Sequence, residues 1–435
     1  MRRIRASLRV LCATVLANAS GQSLPDFPPP GETPAPIRAP TAAPSTGVAE
    51  AVLPAPAAPN PKNAKSPGGP QEDDLNIGRS RSTLASALPT AGWEGVEKSV
   101  DEALEWLAKQ QGEDGDFRAP SPAQPAVTGL ALLAFLSRGH RPGEGRYGAR
   151  LDRAVDYLLQ TQSETGLFTS APVGSVHEDK TPSHTAAYNH AIAGTALCEV
   201  YGTTDRARAD RIKGAVMRAL DFTRQLQTRP KFHEVDRGGW RYVYLRWDRS
   251  AADSDLSVTG WQLMFLRSAQ NAEFQVPVDR INAAVEYVER CFVPGQSVFN
   301  YALVGASDIR TSRGMVGAGI LSLALAGRHH SEMARSAGEW LARRPFGDFG
   351  GIVGLRDRYF YSAYYCSQAM AQLGGSFWER FYPPLVRSLL SAQQADGSWP
   401  PEPAAGDAVF GNVLTTALAV LSLTPPYQLL PVYQR

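Results

Sequence analysis

Two aspartates, Asp253 and Asp255, stand directly before an apolar segment that is predicted to be helical, Ser257 to Ala269. Neighbouring carboxyl groups can share one proton, which keeps one of them available as an acid. Aspartate at a helix start is also a favoured N-cap, because its side chain accepts a hydrogen bond from a backbone N–H of the first turn. The sequence leaves both interpretations of this pair open.

Three histidines, His177, His184 and His190, fall in one stretch that is predicted to be a long loop, and they could approach a metal ion. Their spacings match no rule for metal ligands, so we expect solvated loop histidines instead. The chain contains no G-x-S-x-G, P-loop or dinucleotide-binding motif. We therefore predict neither a metal nor another cofactor.

The charge balance excludes two classes of partner. The chain has 44 basic and 42 acidic residues, a formal charge of +2, which creates no general field for nucleic acid or an anionic membrane surface. Its longest strongly apolar stretch, Gly314 to Gly327, is too short to cross a bilayer as a helix. We predict no nucleic-acid partner and no transmembrane span in the mature chain.

The N-terminal segment is predicted to direct export. In residues 1–22, four arginines precede a short apolar run and a small-residue A-x-A site, which is typical of a secretory signal peptide; an uncleaved membrane anchor is the alternative. Residues 23–88 are rich in Pro and Ala and hold 14 of the 33 prolines, so we expect a disordered linker. The predicted location is periplasmic or extracellular, with the folded part beginning near Trp93.

From residue 93 to residue 426 one pattern recurs six times: an amphipathic helix, a turn with an aromatic residue, a loop, and a helix that is apolar almost all round. The turn aromatics are Phe117, Phe168, Trp240, Phe299, Phe349 and Trp399. Helices with one apolar stripe suit an outer layer, and helices without a polar face suit an inner layer. The pattern predicts an all-α fold, an α/α six-barrel (toroid) of six helix pairs. An open solenoid is the alternative, but polar terminal repeats are absent.

The turns QQADGSW (393–399) and QQGEDGDF (110–117) resemble the QW repeat, the prenyltransferase and squalene oxidase type of repeat found in squalene-hopene cyclases and other class II terpene cyclases. The resemblance covers about residues 93 to 426. It implies a terpenoid-cyclase-like toroid without fixing the function, because the same toroid serves protein prenyltransferase β subunits and non-enzymatic proteins.

The resemblance also implies candidate site residues. Asp255 matches the proton donor of the cyclase D-x-D-D motif and Asp253 its partner, but Leu256 replaces the last aspartate. Aromatic residues near the starts of the inner helices would line a cavity for an apolar substrate or its carbocation, although some of them would simply pack between helices. The candidates for substrate binding are Trp240, Tyr242, Trp261, Tyr361, Tyr364 and Tyr365.

Zinc-dependent prenyl transfer is rejected, because Ser362 stands where the related enzymes carry a zinc-binding histidine and no D-x-C pair supplies the other ligands. Two functions stay open. The favoured one is an exported toroid that binds an isoprenoid, another apolar small molecule or a protein partner without full cyclase chemistry. The alternative is a class II cyclase that protonates an isoprenoid through Asp255.

Overall fold

The computed structural model describes residues 84–171, 173, 181–243, 250–305, 310–347, 349, 357–401 and 409–434. All described residues belong to one compact unit, residues 76–435. The predicted signal peptide and most of the predicted linker lie outside the described residues.

Twelve helices account for most of the described residues. They are α1 Thr90–Lys109, α2 Ala126–Ser137, α3 Gly148–Gln160, α4 Thr181–Val200, α5 Arg206–Gln227, α6 Leu256–Asn271, α7 Val278–Arg290, α8 Arg313–Leu325, α9 Glu332–Ala342, α10 Tyr359–Leu373, α11 Gly375–Ala392 and α12 Gly411–Leu423. Two short strands, β1 Phe292–Val293 and β2 Val298–Phe299, pair antiparallel. None of the described helices is long and apolar enough to span a membrane.

The even-numbered helices form a closed inner ring. Each contacts the next, and α12 returns to α2, so the first and last helix pairs are neighbours. The odd-numbered helices lie outside them: α3 contacts α5, α9 contacts α11, and α11 contacts α1. This closure confirms the predicted α/α toroid of six helix pairs.

Burial follows the hydrophobic pattern. In α3 one stripe is buried, which contains Leu151, Ala154, Val155 and Leu158, and the opposite side is solvated. Every residue of α2 is buried. A helix with one apolar stripe can cover only one neighbour, whereas an apolar surface on all sides has to be packed from every direction. The inner ring therefore consists of the second helix of each pair.

Four turns join neighbouring outer helices through the same hydrogen bonds. In the first, Gln111 Nε2 donates to Gly115 O at 3.0 Å and to Arg150 O of α3 at 2.8 Å. Gln162, Gln227 and Gln393 repeat the arrangement. The Gln393 bond reaches Ser99 O of α1 at 2.9 Å. The junction between the last pair and the first is thus made like the junctions within the chain.

The turn glycines allow this close approach. Gly115 and Gly397 have φ values of +94° and +93°, which side chains other than glycine rarely adopt. A Cβ on Gly115 would lie 2.3 Å from Arg153 O, and one on Gly397 would lie 2.6 Å from Glu102 O. The glycine therefore supplies both the turn and the space for the next outer helix.

Five of the six predicted turn aromatics are buried between helices, but the prediction for the fifth pair was wrong. Phe349 is 38% exposed, whereas Phe346 is fully buried, with its ring 5.7 Å from Phe381 of α11 and 5.5 Å from Tyr359 of α10. Phe346 therefore occupies, three residues earlier in the chain, the buried position that was predicted for Phe349.

Packing also begins earlier than Trp93. Leu84 is 2% exposed, and its carbonyl accepts a hydrogen bond from Trp378 Nε1 at 2.9 Å. The last residues of the segment that was predicted to be a linker therefore contact the toroid.

Candidate functional site

Asp255 caps α6. Its Oδ1 accepts a hydrogen bond from Val258 N at 2.8 Å, and its own backbone N–H donates to Trp240 O at 3.0 Å. The residue is fully buried. The pKa values of Tyr188 and Tyr301 are raised well above the ordinary value of tyrosine. Burial is the larger cause, and the charge of Asp255 is the second. The carboxylate therefore lies beside these two phenols at the start of an inner helix.

Asp253 binds backbone groups on a neighbouring loop. Its Oδ2 accepts from Phe232 N at 2.5 Å, and its N–H donates to Asp236 Oδ2 at 2.6 Å. Lys231 Nζ donates to Asp253 O at 3.0 Å, and burial lowers the pKa of Lys231 to about 8. Asp236, whose pKa is raised by burial, was not predicted as part of this group. Asp253 thus helps to fix the loop that presents Asp255.

A chain of hydroxyl groups joins three inner helices near Asp255. Tyr188 OH of α4 lies 2.9 Å from Ser257 Oγ of α6, which lies 2.5 Å from Tyr361 OH of α10. Tyr361 was predicted to bind substrate, whereas Tyr188 and Ser257 were missed. Tyrosine in an otherwise small and apolar helix was the available signal for Tyr188. We call Tyr188, Ser257 and Tyr361 the hydroxyl chain.

Four of the predicted aromatic residues form one aromatic cluster: Trp261, Tyr361, Tyr364 and Tyr365. Trp261 stacks on Tyr364 with ring centroids 5.4 Å apart and an interplanar angle of 11°, and it meets Tyr365 edge-on at 5.6 Å. Tyr361 and Tyr365 are 5.0 Å apart. Trp261 Nε1 is buried and has no hydrogen-bond partner among the described residues. Tyr361 belongs to both groups, so the hydroxyl chain and the aromatic cluster are continuous.

Tyr242 lies beside the hydroxyl chain and not in the aromatic cluster. Its hydroxyl is 2.9 Å from Tyr301 OH, and its ring is 3.9 Å from that of His184. The guanidinium of Arg310 lies 4.4 Å from the centre of the Tyr301 ring, and that of Arg241 lies 5.1 Å from the Tyr242 ring. Cations over ring faces are stabilised by the ring quadrupole.

Trp240 is part of the wall between helix pairs. Its backbone N–H donates to Thr259 Oγ1 at 3.0 Å, and its indole Nε1 donates to Thr223 O of α5 at 2.9 Å. The side chain is 1% exposed. The structure therefore places it apart from the aromatic cluster to which the sequence had assigned it.

The histidines do not lie together in a loop as predicted. His184 and His190 are on α4, and His177 falls outside the described residues. His190 is fully buried, accepts from Phe168 N at 3.3 Å and contacts Thr223 Oγ1 at 3.0 Å. Burial lowers the pKa of His190 to about 3, so the ring is neutral. The described ranges contain no group of three or more side chains that could hold a metal ion.

A small cavity with both polar and apolar lining lies at the other end of the inner ring. Its volume is about 30 Å³, and Ser137, Gln368, Gln372, Thr424 and Tyr433 are among the residues that line it. A larger groove of about 500 Å³ lies outside the ring, between α1 and α11. Neither is lined by a predicted site residue.

Comparisons with known proteins support the fold. No family model matches the chain, and no curated protein sequence is similar to it. Among solved structures, a variant of the type II terpene cyclase MstE from Scytonema, in complex with its substrate geranylgeranyl dihydroxybenzoate, is 14% identical with a TM-score of 0.50. That match covers 79% of this chain and 100% of the cyclase.

Two further structures have slightly lower TM-scores. A protein from Actinoplanes is 15% identical with a TM-score of 0.49, over 76% of this chain and 99% of that one. A variant of UGL solved with dGlcA-Glc-Rha-Glc is 13% identical with a TM-score of 0.49, over 76% and 96%. The chain has the α/α toroid fold of a type II terpene cyclase, and identities this low concern the fold alone.

Proposed function

We propose that this toroid binds an amphiphilic isoprenoid-type molecule and does not cyclise it. The observation that carries the proposal is the use of Asp255 as the N-cap of α6, with Val258 N at 2.8 Å from its Oδ1. A carboxylate that accepts a backbone N–H at a helix N-terminus is stabilised in its charged form, whereas protonation of an alkene needs a neutral, strongly acidic carboxyl. Leu256 also stands where the cyclase motif has its last aspartate.

Two adjoining groups of side chains, most of them buried, suit a ligand with a polar head and an apolar chain. The hydroxyl chain offers oxygen atoms that donate or accept. The aromatic cluster offers π faces and Trp261 Nε1, a donor that has no partner within the described part of the chain. The substrate bound in the Scytonema cyclase structure, geranylgeranyl dihydroxybenzoate, has this composition. A protein partner is the other class of ligand.

Binding is tested with the purified full-length protein. Bound lipids are extracted with organic solvent and identified by mass spectrometry, and geranylgeraniol is titrated while tryptophan fluorescence is followed. Tyr361→Phe should weaken binding about threefold to tenfold, the equivalent of one hydrogen bond of about 0.5–1.5 kcal/mol.

The matched control is Tyr157→Phe on the outer helix α3, which should leave the titration unchanged. No saturable binding by wild type, or equal loss in both variants, would contradict the proposal. Capture of a protein but no lipid would favour the protein partner.

One observation favours the alternative, acid-initiated cyclisation by Asp255. The residue is fully buried, and its charge acts on the phenols of Tyr188, Tyr301 and Tyr361. Asn keeps the capping role of Asp but cannot supply the proton. If Asp255 is the acid, Asp255→Asn abolishes product formation from squalene or geranylgeraniol, while the melting temperature stays within a few degrees. If neither wild type nor Asp255→Asn forms a product, the result contradicts cyclisation.

We also propose that the chain is exported through its N-terminal segment, with residues 1–22 acting as the signal peptide. Expression of the full-length chain in a bacterial host, followed by cell fractionation and N-terminal sequencing, tests this. Cleavage after the A-x-A site and recovery outside the cytoplasm are expected. An uncleaved chain in the membrane fraction would instead favour an anchor.

A further inference from the structure

The last described residues cross the end of the inner ring that lies opposite Asp255. We call residues 425–434 the C-terminal strap. It contains two short 3₁₀ turns, Pro425–Tyr427 and Pro431–Tyr433, and it buries Leu430 and Val432 to 5% and 1% exposure. It contacts the carboxyl-terminal ends of five of the six inner helices: α2, α4, α6, α10 and α12.

Polar bonds hold the strap at several points. Gln372 Nε2 of α10 donates to Tyr433 O at 2.6 Å, and Asn271 Nδ2 of α6 donates to Pro431 O at 2.7 Å. Tyr433 OH also hydrogen-bonds Tyr364 OH, which belongs to the aromatic cluster. The strap is therefore connected to the centre of the ring.

One anchor of the strap is a buried acid. Glu199, in the last turn of α4, is 8% exposed, and its Oε2 accepts from Val432 N at 3.4 Å. Its Oε1 accepts from Ser268 Oγ of α6. Burial raises the pKa of Glu199 to about 7, against which these two hydrogen bonds act. No basic side chain among the described residues contributes to the shift, so proton uptake neutralises the buried group there.

The titratable groups that face Glu199 do not change charge near neutral pH. They are Cys198 on its own helix, Tyr364 on α10 and Tyr433 on the strap. Burial raises the pKa of each above its ordinary value, so all three stay protonated between pH 5 and 8. A pH effect at this contact in that range therefore originates from Glu199.

We propose that the C-terminal strap is a closure for this end of the toroid, held while Glu199 is protonated and released progressively as Glu199 ionises. This inference goes beyond the proposed function and does not depend on it. With the strap in place Glu199 is shielded from solvent. With the strap detached the carboxyl group is solvated, and its pKa returns toward the ordinary value of 4.5.

The direction of the pH dependence of strap closure follows from proton linkage. The closed state binds more protons than the open state between pH 4.5 and about 7, so closure is strongest below this window and weakens as pH rises through it. The opening constant should grow by at most about tenfold per pH unit there and level off above it.

Hydrogen–deuterium exchange of the full-length protein tests the proposal. Peptides covering the strap are followed at pH 5.5 and pH 7.5, with the intrinsic exchange rate at each pH divided out. Wild type should open at least about tenfold more at the higher pH. Glu199→Gln, which cannot ionise, should change less than about twofold.

Two variants keep the test falsifiable. Glu339→Gln removes a half-exposed acid that is paired with Arg380 and should behave as wild type. Ser268→Ala removes the hydroxyl that stabilises the Glu199 carboxylate and should move the transition to higher pH, which a merely structural role would not do. Equal protection of wild type at both pH values, or an unchanged slope in Glu199→Gln, would overturn the proposal.

Discussion

The two ends of the inner ring each bury a carboxyl group, and the two groups face opposite helix termini. Asp255 stands at the N-terminus of α6, where its oxygen accepts a backbone N–H and the helix dipole favours negative charge. Glu199 stands at the C-terminal end of α4, where the dipole opposes negative charge, and burial raises its pKa to about 7. The two buried acids therefore make different contacts: Asp255 accepts a backbone N–H of its own helix, whereas Glu199 accepts from groups outside its helix.

Tyr364→Ala should have the largest effect, because this residue connects the two ends. Its ring stacks on Trp261 and its hydroxyl bonds Tyr433 of the strap. Loss of a buried aromatic side chain costs about 3–5 kcal/mol, so the free energy of unfolding in urea should fall by that amount. If the ends were independent, exchange in the strap would be unchanged once the global loss is subtracted.

Asp255→Ala should cost about 1–2 kcal/mol, because the first turn of α6 loses its cap. Asp255→Asn retains a capping side chain, so it should lower the free energy of unfolding by only a few tenths of about 1 kcal/mol. The two melting temperatures, measured side by side, separate the capping role from any role of the charge. Equal losses would show that the charge, and not the cap, stabilises this end.

Glu199→Gln should remove the contribution of Glu199 to the pH dependence of the unfolding free energy. The folded-state pKa of about 7 exceeds the ordinary value of 4.5, so this group's contribution is complete below pH 4.5 and is lost as pH rises toward 7. The difference in unfolding free energy between wild type and variant should change by at most about 1.4 kcal/mol per pH unit in that window. A constant difference between pH 5 and pH 7 would contradict the contrast between the two ends.

Tyr433→Phe should have a small effect on stability. It removes the hydroxyl partner of Tyr364 and keeps the ring, at a cost of about 0.5–1.5 kcal/mol. We expect faster hydrogen exchange in the strap and unchanged exchange in the first turn of α6. A change at α6 would mean that the aromatic cluster transmits the loss to the opposite end.

The fold was predictable from the sequence because its signals are local. The Gln-to-Gly spacing of four residues in QQGEDGDF and QQADGSW corresponds to a turn that places both groups against the next outer helix. The alternation of helices with one apolar stripe and helices without a polar face indicated the two rings. The turn aromatic of the fifth pair failed as a prediction because Phe346, three residues earlier, takes the buried position between the helices.

Much of the candidate site was not predictable, because its contacts join distant parts of the chain. Ser257 meets Tyr188 and Tyr361 across 69 and 104 residues, and no local pattern marks such a meeting. Tyr361, Tyr364 and Tyr365 were identifiable from aromatic density alone. Trp240 also lies in an aromatic-rich stretch of sequence, but the turn directs its indole between the helix pairs, toward Thr223. His190 was assigned to a loop because the helix that contains it begins earlier than its sequence pattern indicates.

The hydrogen bond from Gln393 to Ser99 joins the last helix pair to the first, although no peptide bond links these two pairs. The junction without a peptide link has the same donor, acceptor and turn glycine as three junctions inside the chain. Leu84 and Gln428 line the same small cavity, so the two described ends of the toroid lie close together. A short peptide could join them, and the chain could be opened at one of the outer junctions made by Gln111, Gln162 or Gln227, so the ring is a candidate for circular permutation.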